Sequence, residues 1–136
     1  MCMSLVLLVL VTGLVFAGLD ALMLSRVMKP LFEAHIGPLM LESPRMGPAV
    51  LFYLGYLAGL IWLVSWPALK AGAPMQALVA GAVLGAVAYG TYELTSYTIL
   101  RDWHPTMVAV DLAWGTILTG TSAWVGVAVT RWIAPV

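Results

Sequence analysis

Apolar residues run through the chain in four blocks, broken by short polar or proline-bearing stretches, and neither a period of two nor a one-sided helical stripe interrupts them. Each block approaches the roughly 20 residues that a helix needs to cross a bilayer core of about 30 Å. The pattern predicts four membrane-spanning helices, at about Ser4 to Leu24, Pro48 to Ala68, Pro74 to Leu100 and Pro105 to Val129. Pro48, Pro74 and Pro105 stand at span entries, where a helix requires no N–H from its first residue. The first block lacks a basic leader and a small-residue cleavage site, so it reads as a membrane helix and not as a cleaved signal. The whole chain is therefore expected to form one transmembrane domain over residues 1–136, an all-α, integral membrane four-helix bundle with antiparallel up-down neighbours. Both termini then share one side.

The connections differ in length. Leu69 to Ala73 and Arg101 to His104 are short enough to force close antiparallel packing. The first, about Ser25 to Gly47, mixes apolar and charged residues with Pro30, Pro38 and Pro44, and reads as an interfacial segment lying against the headgroups. Arg26, Lys29, Arg45 and Arg101 flank the first and third connections, against Lys70 and Arg131 on the opposite side. The positive-inside rule thus puts connections one and three in the cytoplasm.

Composition agrees with the pattern and removes several function classes. Of 136 residues, 62% are hydrophobic and 9% charged, with a mean hydropathy of +1.01, so a lipid bilayer is the first expected partner. Six basic and six acidic residues give no net charge and no basic stripe for nucleic acid. The single cysteine, Cys2, excludes an internal disulfide, a CxxC redox centre and a thiolate zinc site.

Against this background three acids stand out. Asp20, Glu93 and Asp111 lie inside predicted spans, where a carboxylate costs roughly 2.5 to 3.5 kcal/mol even on insertion scales. At 1.5 Å per residue, all three fall within roughly 6 to 11 Å of the same interface. They can share one polar pocket. Tyr89, Glu93, Ser96 and Tyr97 follow i, i+4, i+7 and i+8 spacing along one face, with Tyr92 adjoining, and Asp111, Trp114 and Gly115 repeat the pattern in the fourth span. The candidate ligand- or proton-binding set is Asp20, Glu93, Asp111, Tyr89, Tyr92, Ser96, Tyr97 and Trp114. His35, Trp103 and His104, from connections over the same face, are candidates for a lid or gate. The competing reading is a polar clasp that holds helices together by hydrogen bonds.

No Lys or Arg lies within a predicted span to neutralise the acids, and a desolvated carboxyl with no counter-charge favours its neutral form. Such a group exchanges its proton for a bound cation or donates it to a ligand. No Glu-x-x-His pair of the kind that builds carboxylate-bridged metal sites occurs in a span, so no metal ligand is assigned; no general-base histidine is set beside Ser96 or Thr95, so no catalytic residue is assigned either, and the cofactor is unknown. Gly55/Gly59 and Gly81/Gly85 form GxxxG motifs that favour close helix packing, within the chain first and in a homo-oligomer or larger membrane complex second. Trp62, Trp66, Trp103 and Trp132 stand near span ends as interfacial anchors.

Several of these residues together resemble a known family. Asp20 with Leu22 and Leu24, the Phe52-Tyr53 pair, the run Ala88-Tyr89-Gly90-Thr91-Tyr92 leading to an acid, and Trp103, Pro105, Asp111, Trp114, Gly115 and Thr116 resemble the bacterial membrane proteins grouped as domain of unknown function 2177. The pattern departs at Glu93, where the family carries Asp, and at Ser96, where it carries Asn. The resemblance implies a multi-pass protein of the bacterial cytoplasmic membrane and no established reaction. Three function classes fit: a proton- or cation-linked small-molecule binding or transport protein, which the clustered acids favour; an accessory or structural subunit of a larger complex; and a membrane-embedded enzyme acting on a lipid-like substrate.

Overall fold

The computed structural model describes residues 2–135 and contains helices and turns, with no strand among the described residues. Helix α1 (Cys2–Met23) passes through a π-turn (Leu24–Met28) into α2 (Lys29–Ile36) and a 3-10 turn (Gly37–Leu39). Helix α3 (Met46–Leu60) passes through a second π-turn (Ile61–Ser65) into α4 (Trp66–Lys70), followed by α5 (Pro74–Ile99) and α6 (Pro105–Ile133). Four continuous stretches, Cys2–Leu39, Met46–Lys70, Pro74–Ile99 and Pro105–Ile133, are long and apolar enough to cross a membrane. The all-α architecture with four membrane-length helices is the one the hydrophobic pattern predicts.

The first connection differs from expectation. Helix continues past Leu24 as far as the turn at Leu39, and only residues 40–45 leave helical geometry. Pro30 does not break it, because the turn before it is widened: the Lys29 N–H bonds back to Leu24 O, five residues earlier. The same device precedes Pro67, where the Trp66 N–H reaches Ile61 O. A proline ring collides with the carbonyl four residues before it, and a π-turn opens the space that it needs.

Helix α6 is the centre of the bundle, packed along α5 and α1. The α5–α6 contact is a backbone approach: a Cβ on Gly85 would run into Gly115 O, and one on Gly81 would lie 3.0 Å from Gly120 Cα. Gly126 instead leaves room for the side-chain hydroxyl of Thr12 of α1. The second GxxxG motif behaves otherwise. Nothing lies within 4 Å of where the Cβ of Gly55 or Gly59 would stand, so this pair makes no packing contact inside the chain. At the α4–α5 corner, Gly72 takes φ +65°, with Ala73 N–H on Ala68 O (2.9 Å) and Gly72 N–H on Leu69 O (3.0 Å). This is a Schellman closure, and its left-handed residue favours glycine.

The apolar core occupies the half of the bundle near the chain ends, around Leu8, Leu60, Val64, Leu69, Ala77 and Val127. The opposite half holds the acids.

Candidate functional site

Three helices bring the acids together at that opposite end, each from a different place in the sequence. Asp20 lies on the last turn of α1, Glu93 on the second half of α5 and Asp111 on the first half of α6, and all three are buried. The shared depth expected from the helical rise rests on α1 and α5 ending, and α6 beginning, at one face.

Their environments differ. The Asp20 carboxyl is fully engaged: the Tyr53 hydroxyl donates to Oδ2, and the Trp114 indole N–H donates to Oδ1 at 3.1 Å. Glu93, wholly removed from solvent, takes the Trp103 indole N–H on Oε1 at 2.9 Å, while Oε2 receives no donor. Asp111 has the Glu93 carboxyl as its close neighbour. Two carboxyls can bond to one another only by holding a proton between them. Among the described residues the one ion pair is Lys29 with Glu33, 3.9 Å apart on the exposed face of α2, so no protein cation pairs with any of the three acids.

Aromatic rings wall the group. The Tyr89 ring covers Gly115, where a Cβ would overlap it, and stands edge-on to Tyr56 at 6.3 Å between centroids. Tyr56 shares a hydrogen bond of 2.9 Å with Thr119. Phe16 packs on both Tyr53 and Tyr56 at 5.8 and 5.6 Å. Trp103 is 6% exposed and meets Phe32 of α2 and Tyr92 of α5 edge-on at 5.5 and 5.6 Å. It is thus a buried donor to Glu93 and not an interfacial anchor, unlike Trp62 and Trp132, which are broadly exposed.

A cleft of about 560 Å³ opens between the end of α1, α2 and the 40–45 connection, and Asp111 and Tyr92 reach its wall. Asp111 is 9% exposed.

Of the candidate residues, the structure gathers Asp20, Glu93, Asp111, Tyr89, Tyr92, Trp103 and Trp114. Ser96 and Tyr97 are not joined to them: the donors to Asp20 and Glu93 are Tyr53, Trp114 and Trp103, and Tyr97 is 48% exposed. Two i+4 steps, from Tyr89 through Glu93 to Tyr97, turn roughly 80° past two full turns of a straight helix, which carries Tyr97 outward from the buried face. His35 and His104 stack ring on ring at 4.1 Å, tying the end of α2 to the start of α6, where His104 Nδ1 accepts the Thr106 N–H at 3.1 Å as the helix cap. Among the described residues no three of His, Cys, Asp and Glu converge as metal ligands would. Sequence reasoning missed Tyr53 as a partner of Asp20. The same rise arithmetic held the signal, since Tyr53 stands roughly 8 Å into the second span, level with the acids.

No curated protein and no solved structure matches the chain. Residues 5–128 match the sequence pattern of a family described as predicted membrane protein, DUF2177, a domain of unknown function. That match takes in α1 through most of α6, and so every residue of the site. This membrane protein belongs to the DUF2177 family.

Proposed function

We propose that the protein binds a small molecule at the Glu93–Asp111 pair and exchanges it for a proton, acting as a proton-linked carrier. The observation that supports this reading is a buried carboxyl pair without a protein cation, one member of which lies on the wall of an open cleft. In low dielectric an unpaired carboxylate is costly, so the pair gives up its proton when another group takes its place. Asp20, held by two donors, is the fixed member of the group; Trp103 and the stacked His35 and His104 form the cover under which α2 opens or closes. The charge of the first and third connections favours a cytoplasmic position for this face, and the family resemblance supports a bacterial inner membrane as its location.

The test uses proteoliposomes loaded with a pH-sensitive dye. Amines, polyols and inorganic cations are added outside, and at least one class drives a proton flux that Glu93→Gln abolishes without lowering the melting temperature. Absence of any protein-dependent flux across the panel contradicts the carrier reading.

A second reading, an accessory subunit of a membrane complex, draws on one feature: the outward Gly55/Gly59 pair, whose surroundings within the chain are empty. Cross-linking from Gly55→Cys to a second protein in native membranes would favour it.

A further inference from the structure

The cleft beside Asp111 is chemically uneven. Leu24, Met28, Met40 and Leu41 give it apolar walls, and of its charged lining residues Lys29 is paired with Glu33 while Glu42 adds an acid to that of Asp111. Three other lining residues gather around one buried indole: Tyr92 and Phe32 pack edge-on against Trp103, and Asp111 neighbours Glu93, which Trp103 holds. A carboxyl and two aromatic rings therefore meet on one stretch of wall. Asp111 is more than nine-tenths buried, and among the described residues no N–H and no Ser, Thr or Tyr hydroxyl donates to it; its polar neighbour is Glu93.

Each ligand chemistry fares differently there. A carboxylate or phosphate would bring a third negative group into a low-dielectric site that already holds two acids. A hydroxyl would offer a single donor and no charge. An ammonium supplies several donors and the missing positive charge, and aromatic rings within about 6 Å add cation–π attraction. The cleft volume of about 560 Å³ is in the range of sites for small organic molecules.

We propose that the cleft takes a lipophilic amine: a primary or secondary ammonium head against Asp111, with an apolar body along Leu24, Met28, Met40 and Leu41. The proposal rests on the reading of Glu93 and Asp111 as a binding site and names its ligand class. An N–H on the head is required, because a quaternary head has no donor for the Asp111 carboxyl.

Native mass spectrometry of the whole protein in lipid nanodiscs tests it, with n-decylamine, decyltrimethylammonium, 1-decanol and decanoate at equal membrane concentrations. Decylamine should bind at least tenfold more tightly than the other three. Asp111→Asn should erase that preference. Ser25→Trp, which places an indole in the cleft from an exposed position, should block decylamine while leaving the helical circular dichroism unchanged, and so decides the matter if the Asn variant does not fold. Equal binding of all four chains overturns the proposal, as does decylamine binding that survives Ser25→Trp. The carrier reading fails separately. Decylamine bound without proton release keeps the ligand class and removes proton exchange, whereas proton-coupled flux of a neutral solute with no amine preference does the reverse.

Discussion

Trp103 and Glu93 form a buried hydrogen bond between the third connection and α5, so removing either end has a calculable effect. In Glu93→Leu the Trp103 indole N–H stays buried beneath α2 and loses its acceptor, at a cost of about 1 to 3 kcal/mol. Glu93→Gln keeps an oxygen for the indole and turns an NH₂ group toward Asp111, so its cost should stay below about 1 kcal/mol. Trp103→Phe removes the donor instead and leaves Oε1 in the same position as Oε2, with no partner. The double variant Glu93→Leu/Trp103→Phe has neither an orphaned donor nor an orphaned acceptor. It should therefore be less destabilised than the sum of the two single variants by about 1 to 3 kcal/mol. Unfolding in mixed micelles, followed by circular dichroism, gives all four corners of the cycle. Additivity within about 0.5 kcal/mol would refute the bond as a source of stability. Proton flux in the same variants separates site from scaffold: a site loses flux with Gln at near-native stability, whereas a clasp keeps it.

Gly85→Ala drives a methyl group into Gly115 O and Thr119 and should cost about 1 to 3 kcal/mol in the same unfolding assay, while Gly55→Ala and Gly59→Ala, in open surroundings, should stay within about 0.5 kcal/mol. Tyr53→Phe frees Asp20 Oδ2 and should cost about 1 kcal/mol, and no loss of stability would contradict the Tyr53–Asp20 bond. His104→Ala removes the cap on α6 and should cost about 1 kcal/mol, which His104→Asn should restore.

The four helices were legible because apolar length alone specifies a membrane span. The acids were legible because each is an expensive exception inside such a span. Helix beyond Leu24 was not, since Pro30 is read as a stop unless the preceding turn is known to widen, and residue types do not announce a π-turn. Glycine spacing also underdetermined packing: Gly81/Gly85 and Gly55/Gly59 look alike in sequence, yet only the first pair faces a helix with glycines of its own, Gly115 and Gly120, at matching heights. Trp103 looked like an anchor because tryptophans near span ends usually are; its burial draws on packing against Phe32 of α2, a tertiary contact.

Glu93 and Asp111, neighbouring buried carboxyls with no protein cation beside them, are expected to hold one proton between them. The infrared carboxyl C=O stretch of the protein in lipid near neutral pH reads this directly. A protonated-carboxyl band is predicted that shifts or disappears in both Glu93→Gln and Asp111→Asn and is unmoved by Asp20→Asn. A spectrum with no such band, or one untouched by the first two substitutions, would contradict it.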